Sequence, residues 1–577
     1  MISLKDAGRI IGAGGVVAYP TETAYGLGAS AFDADAVEKV YRLKGRQRKK
    51  KIPVIVSDVG DLEGHAFVNE LGHYLSRHLH PGPLNIVVNS ELPWLGAFRI
   101  SSSPIASELA KLSGPITATS ANKAGGKTPF SPKDVKMHLD VPIVGKKVLA
   151  TGSVSTVYDP FTFSLLRRGA MPETTIKRYV VAFNVLKGVK PSESEVKKTV
   201  ALGGEVLRLV KKKHRKSLLG GSVAKGTFTK SVNDIDIFLL FPKEDCLKEK
   251  IEFLKKVAGS FSKRVEVSYA QHPYVKARYK GVSVELVPAY ETKPPEILSA
   301  ADRSRWHVKF VSGLPENVKD EVRVLKRFCK GIGVYGAEAR IEGFSAYAME
   351  VLVSRAGSFV KALEKLAEMK WPIRLSDPVD ENRNVLASVS RGSFELLKEA
   401  AKEFLKSPGE NFFFPVKPRP LKKLPKIRNK SLLVLKKPKM VEDAVWGNAK
   451  KRARKIERNA RLDGYLVKRW SVFVSRDVFV LFELFPGDSE LLVKGPPRGK
   501  KQHVKKFKSA HPAWFVEGGR LYTRKKRRFP SFSKLVRNFE EAEVFTGSAI
   551  EGTYKKMRKK EKEWVTLFFV NKKPWEY

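Results

Sequence analysis

Cysteine is nearly missing from this sequence: Cys246 and Cys329 are the only two among 577 residues. That is too few for a disulfide framework or a structural zinc site. No apolar run approaches the ~20 residues of a membrane-spanning helix, and the first apolar stretch is broken by Gly12, Gly14 and Gly15, so neither a span nor a secretory leader is expected. Acid is scarce as well, with 60 Asp and Glu against 108 Lys and Arg, a formal net charge of +48. Nearly all of that excess lies after residue 180. A surplus of this size most simply meets a polyanion, because each phosphate neutralised releases a condensed counterion. The expectation is a soluble, cytoplasmic protein that binds nucleic acid and no membrane.

A Walker phosphate loop is absent too. Gly221 and Gly226 have the right separation, but Lys225 precedes the second glycine and Thr227 follows it, whereas a Walker lysine must come after. What the stretch GGSVAKGTFTKSVNDIDIF at 220–238 does contain is a turn, Gly220 to Ser222, behind the short apolar run Ser217 to Leu219. Its backbone amides and serine hydroxyl suit a triphosphate. The run Ile235 to Phe241 reads as a strand, and residues i and i+2 of a strand share a face, about 7 Å apart at the backbone. Asp234 and Asp236 therefore point the same way. A second strand, Val282 to Pro288, supplies a third acid, Glu285. Carboxylates so placed suit paired divalent ions that activate a 3′ hydroxyl and stabilise departing pyrophosphate, which is nucleotidyl transfer.

At roughly 150 residues per domain the length suggests about four domains, and 42% hydrophobic residues provide for several cores. Two breaks divide the chain. Between Lys177 and Ser194 the strand pattern stops at a polar, Pro191-containing stretch before a long helical run, Glu195 to Lys213. From Ser407 to Lys430, five prolines among lysines exclude a helix or a central strand. Ahead of the first break, short apolar runs at Val16 to Tyr19, Ile52 to Val56, Leu84 to Val88 and Ile116 to Thr119 alternate with helical stretches, which predicts a mixed α/β domain.

The Gly-Ser turn, the Asp-Ile-Asp-Ile strand and the later strand acid together resemble the nucleotidyltransferase superfamily of the polymerase beta type. From about Val185 to Tyr577 the chain is further similar to the archaeal class of CCA-adding tRNA nucleotidyltransferase, through Gln271 to Val275, Ala301-Asp302-Arg303 with His307, Val334 to Glu338, Asp377 to Asp380 with Arg383 to Val385, and Gly495-Pro496-Pro497. The resemblance implies a two-metal Mg²⁺ site at Asp234, Asp236 and Glu285. It implies that Ser222 and Lys225 hold phosphates, that His272, His307, Lys326 and Tyr335 line the ATP or CTP triphosphate and sugar, and that Arg383 contacts the base. Lys225 stands where the family often has arginine, and Glu285 where it often has aspartate. The basic clusters Lys450 to Lys455, Arg524 to Arg528 and Lys555 to Lys560, near Trp446, Trp470, Tyr522, Phe529 and Tyr554, fit tRNA gripping without sequence readout.

In the front third, Tyr19 to Gly28 puts hydroxyls and glycines right after an apolar strand. Lys44-Gly45-Arg46, Arg99, Ser120-Ala121-Asn122, Ser155-Thr156-Val157 and Leu165-Leu166-Arg167 follow in order. Separated cations and hydroxyls suit an anionic nucleotide and a polar substrate. In that order they resemble the threonylcarbamoyl-AMP synthase family over roughly residues 3–178. The resemblance implies synthesis of threonylcarbamoyl-AMP from L-threonine, bicarbonate and ATP for tRNA modification, with a separate threonylcarbamoyl-transferase complex as partner. Thr23 and Ser155 would contact threonine, and Lys44, Arg46, Ser120, Asn122 and Arg167 the nucleotide and the threonine carboxylate. Arg99 is a weaker member, because Ser101 stands two positions on where the family usually has proline.

The expected organisation is an α/β twisted open-sheet domain over 1–180 and a linker over 181–194. A polymerase-beta-type catalytic head follows over 195–318, a helical central domain over 319–406, and a basic α+β body and tail over 407–577. The rival function is a poly(A) polymerase-like enzyme fused to a non-catalytic RNA-binding domain.

Overall fold

The computed structural model describes residues 1–145, 152–230, 234–243, 246–269, 273–294, 296–416, 418–425, 427–485 and 490–576. The front region is built on a six-stranded mixed sheet ordered Ser164–Arg167, Thr156–Asp159, Leu84–Val87, Leu95–Arg99, Ile52–Ile55, Ile116–Thr117. A three-stranded sheet of Val17–Pro20, Tyr25–Gly28 and Thr119–Ser120 lies with it. The strands are short and buried on both faces, so they read as continuous apolar runs and not as alternation.

The next sheet has five strands ordered Ser217–Leu219, Asp234–Phe241, Val282–Tyr290, Pro273–Tyr279, Val265–Tyr269. Only its central pair, Asp234–Phe241 with Val282–Tyr290, is parallel. One face is covered by the helices Glu193–Lys211 and Leu247–Gly259, whose Val206, Val210, Leu254 and Val257 pack on Ile235, Ile237, Leu239, Val284 and Leu286. The odd-numbered residues of Asp234–Phe241 therefore face the core, and Asp234 and Asp236 are left on the other side. Five helices follow among the described residues, Ser304–Ser312, Glu316–Ile332, Ala346–Ala356, Phe359–Glu368 and Arg391–Lys406. A four-stranded sheet comes next, ordered Val467–Val474, Asp477–Leu484, Lys430–Lys436, Glu543–Thr546, and a three-stranded one, Glu490–Pro497, Arg520–Lys526, Trp514–Glu517. At the end of the chain Trp575 stacks on Phe412, ring centroids 5.4 Å apart, returning the C-terminal segment to the helical region.

The stretch expected to be a polar linker is not one. Residues Glu173–Val189 form a single helix that buries Tyr179, Val181, Ala182, Phe183, Val185, Leu186 and Val189, and a bend at Lys190 to Ser192 leads straight into Glu193–Lys211. Phe183 packs 5.4 Å from Tyr74 of the front-domain helix Glu70–Leu79, and Tyr179 stacks on His78. Tyr74 Oη donates to Glu321 of the helix Glu316–Ile332 at 2.7 Å, and His78 Nε2 lies 3.2 Å from the same carboxylate. The Phe359 amide donates to its other oxygen at 2.8 Å. One apolar core thus runs from Leu75 and Ile86 through Ala182 to Phe328, Phe359 and Phe404.

A shared core makes the front and central regions one cooperative unit. Phe183→Ala removes a buried ring at a cost of about 3 kcal/mol, and calorimetry is expected to show the melting of both regions shifting down together. A front-region transition unmoved by the substitution would separate them.

Candidate functional site

The glycine turn and the strand acids come together in the head. The Gly220 amide donates to the Asp236 carbonyl at 2.8 Å, which fastens the turn beside the strand. Gly221 has φ of +59°, and a Cβ there would stand 1.6 Å from Asp236 Oδ2. Only glycine lets the turn lie this close to the carboxylate. Ser222 and Lys225 follow on the short helix Gly221–Lys225.

Register places Asp236 directly beside Glu285 on the parallel neighbour. Burial and then the charges of Glu285 and Asp234 push the Asp236 carboxyl up to about 7, against the smaller pull of Lys225 and Lys276. Glu285 is itself paired with Lys276 of the adjacent strand at 2.9 Å, a partner that sequence reading did not anticipate. Among the described residues no three acids, histidines or cysteines stand close enough together to hold a metal ion. The donor chemistry nevertheless fits a divalent cation: hard oxygen ligands whose mutual repulsion a cation relieves.

The remaining candidates of the rear site form two buried nodes. In the first, the Glu350 carboxylate is wholly buried and receives Lys225 Nζ at 2.9 Å, Lys326 Nζ at 3.0 Å and Thr227 Oγ1 at 2.7 Å. Burial works to raise its pKa, but the two ammoniums and the hydrogen bonds outweigh burial and hold it at about 2. In the second, Asp377 receives Tyr347 Oη at 2.7 Å, Arg383 Nη1 at 2.8 Å and the Val379 amide at 3.0 Å, with His307 Nε2 at 3.2 Å. These partners overcome burial and keep the Asp377 carboxyl well below the usual range. The nodes touch through Tyr347, whose ring stacks on His307 at 3.5 Å and lies 5.1 Å from Lys225 Nζ. Tyr335 stands at the end of the helix Glu316–Ile332, with Lys330 Nζ 4.8 Å from its ring. His272 lies outside the described residues. Glu350, Thr227, Tyr347 and Lys276 were missed. The signal for Glu350 was a lone charge in the apolar stretch AYAMEVLV, where only a paired acid is tolerated.

The front-domain candidates are also brought together, in three small sets. Lys44 Nζ, buried, donates to the carbonyls of Ser120 and Asn122 and to Asn122 Oδ1 at 3.2 Å. Burial, and after it the charge of Arg46, lowers its ammonium to about 8. Arg167 Nη2 donates to Ser155 Oγ at 2.9 Å, and Asn85 Nδ2 to the same oxygen at 2.8 Å. Arg99, buried at the end of its strand, reaches Thr23 Oγ1 at 3.3 Å and Glu22 at 3.1 Å, and the Ser101 hydroxyl donates to Glu22. Ser101 therefore meets Glu22, the same carboxylate that pairs with Arg99, and Arg99 lies against Thr23. Arg46 donates to the carbonyls of Lys50 and Lys51. Burial first, then the charges of Arg99 and Arg46, lower the Arg167 guanidinium, so three guanidiniums share one field.

The C-terminal basic clusters differ in freedom. In the first, Lys450 and Arg454 both pair with Glu342, and Arg452 with Glu540, while Trp446 beside them is core. Arg524, Lys525 and Lys526 stand exposed on their strand, as do Lys555, Lys556, Lys559 and Lys560.

Comparisons with known proteins divide the chain in the same places. Residues 9–169 match a family model described as telomere recombination, that of the Sua5, YciO and YrdC proteins. Residues 204–307 match the nucleotidyltransferase domain, 320–414 the tRNA nucleotidyltransferase second domain, and 429–559 the CCA-adding enzyme C-terminal domain. The CCA-adding enzyme of Saccharolobus shibatae is 36% identical over 374 residues, 60% of this chain and 88% of that one. That of Sulfolobus acidocaldarius is 34% identical over 383 residues, 61% and 89%. Pyrococcus abyssi Sua5, solved with L-threonine, is 31% identical over 31% of this chain and 57% of its own, with a TM-score of 0.29. The chain belongs to the CCA-adding enzyme family and carries in front of it a domain of the Sua5/YciO/YrdC family.

Proposed function

We propose that one chain carries out two steps of tRNA maturation. The rear half adds C, C and A to a tRNA 3′ end from CTP and ATP without a nucleic-acid template. The front domain makes threonylcarbamoyl-AMP from L-threonine, bicarbonate and ATP. The single observation that supports the pairing is that each half gathers its own buried cations and hydroxyls into a separate hydrogen-bonded set, with no side chain common to both among the described residues.

In the rear half the tRNA 3′ oxygen forms a bond to the α-phosphorus, the α–β bridge breaks and pyrophosphate departs. Ser222 and the turn amides hold the phosphates, with Lys225 and Lys326 behind them. His307 and Arg383, fixed by Asp377, line the sugar and base. Asp234 and Asp236 would hold divalent ions, which when bound activate the hydroxyl and stabilise the leaving group. Glu285, which pairs with Lys276 at 2.9 Å, would be the third carboxylate available to those ions.

In the front domain the threonine nitrogen takes up bicarbonate carbon with loss of water. A carbamate oxygen then attacks the α-phosphorus of ATP and releases pyrophosphate. Arg46, Arg99 and Arg167 supply the positive field in which these anions meet, and Thr23 and Ser155 orient threonine by hydrogen bonds. A separate transferase complex would pass the threonylcarbamoyl group to tRNA.

Asp236→Asn keeps the shape but removes a ligand charge. CCA addition should fall by orders of magnitude while threonine-dependent pyrophosphate release persists, and Lys44→Ala should do the reverse. With tRNA lacking its 3′ end, single labelled nucleotides should show CTP incorporation first, and long runs of ATP alone would favour the poly(A) reading.

Free Lys44 loses its proton above about pH 8, so its attraction for anions weakens there. The KM for ATP in threonine-dependent pyrophosphate release should rise between pH 7.5 and 9.5, and Lys44→Arg should flatten that rise, because a guanidinium stays charged.

Replacing Arg524, Lys525 and Lys526 with alanine should reduce the slope of log tRNA affinity against log salt by roughly one per lost phosphate contact. An unchanged slope would show these side chains to be solvated and off the RNA.

A further inference from the structure

Glu350 lies outside the strand acids and outside the phosphate turn, on the helix Ala346–Ala356, yet it touches both halves of the nucleotide pocket. Its Oε2 takes Lys225 from the head, and its Oε1 takes Lys326 from the central helix and Thr227 from the loop after the turn. Lys326 also donates to Thr227 Oγ1 at 2.8 Å, which closes a three-membered ring of hydrogen bonds. Arg323, one turn before Lys326, reaches back to the carbonyls of Gly226 and Phe228 and binds the same loop from the other side. Lys326 donates to the Thr227 carbonyl at 3.2 Å as well, so its three N–H groups are all held by protein, and the Glu350 carboxylate is fully removed from water.

The sharing separates this arrangement from an ordinary buried ion pair. One carboxylate serves two lysines from different elements, and burial lowers the pKa of Lys326, the more deeply buried of the two. Lys225 also acts on Asp236 and on His307 by its field, so it stands between the strand acids and the second node. Flexible lysines carry about 2 kcal/mol of rotamer freedom, and here both are fixed before any ligand arrives.

We propose that Glu350 is a positioning residue for nucleotide addition: it holds Lys225 toward the triphosphate of the incoming CTP or ATP, braced by Lys326 behind it, and locks the head to the central helices at that spacing. This rests on the reading that the rear half adds CCA. Because Lys225 meets phosphates, which CTP and ATP share, and not the base, the effect of losing Glu350 is the same for both nucleotides and leaves the tRNA untouched.

The test uses the full chain and tRNA lacking its 3′ end. Glu350→Gln retains the volume and a carbonyl acceptor for Thr227 but drops the charge. The KM values for CTP and ATP are expected to rise together by about tenfold, the fold-change equivalent of losing one charge-assisted hydrogen bond, with the KM for tRNA unchanged. Glu350→Asp, which keeps the charge and withdraws it by one methylene, should fold as the parent does and give an intermediate rise. Unchanged nucleotide KM values in both variants, or a rise in tRNA KM equal to that for nucleotides, would overturn the proposal. Failure of the parent protein itself to incorporate CTP and ATP would instead overturn the reading of the rear half on which the proposal rests.

Discussion

An ionised carboxylate taken out of water must have its oxygens bonded and its charge met, or it costs several kcal/mol, and in a chain so poor in acids the few that are buried decide how the parts meet. Glu321, Glu350 and Asp377 are each almost wholly buried. Glu321 gathers Tyr74 and His78 from the front domain and the Phe359 amide from the central helices. Glu350 gathers the head and the central helices, and Asp377 gathers His307, Tyr347 and Arg383. Satisfying each of these acids draws in side chains from separate elements, so the geometry of the rear site and the docking of the front domain follow from one requirement.

That requirement also sets the limits of what the sequence disclosed. The strand Asp234–Phe241 was legible because period-two alternation puts Ile235, Ile237 and Leu239 in a core and the aspartates opposite them. The turn was legible because Gly221 has no substitute beside Asp236. Helix Glu173–Val189 was not, for a physical reason: it is clamped between Glu70–Leu79 on one side and Glu316–Ile332 on the other, which leaves a narrow exposed strip along Glu173, Lys177, Asn184 and Gly188 to mark its periodicity. Its lysines and the Pro191 beyond it read as a polar break, and a shared core was taken for a linker. Partners such as Lys276 for Glu285 or Tyr347 for His307 depend on strand register and helix docking, which no local pattern encodes.

Partner charge likewise sorts the C-terminal surface. A run of cations in the sequence is only a count, and the structure shows that Lys450, Arg452 and Arg454 spend their charge on Glu342 and Glu540, joining the helix Glu442–Leu462 to the central region and to the end of the helix Phe532–Phe539. Arg524, Lys525 and Lys526 on the strand Arg520–Lys526, and Lys555, Lys556, Lys559 and Lys560 near the end of the chain, stand exposed, where an extended polyanion has access to them.

The two halves apply the same electrostatics in opposite order. Lys326 and Lys225 have a protein carboxylate as counter-charge, so they are held ready and their geometry precedes the ligand. Lys44 is met by the neutral oxygens of Ser120 and Asn122, and burial, then the charge of Arg46, lowers its ammonium to about 8. Arg167 sits in the field of two other guanidiniums, its own bonds going to Ser155. In the front domain Glu22 meets Arg99, while Arg46 and Arg167 donate to neutral oxygens, so anionic substrates of the kind proposed above would bring the balancing charge with them. The front site would then complete its electrostatics on binding, whereas the rear site already holds its two lysines on a carboxylate of its own.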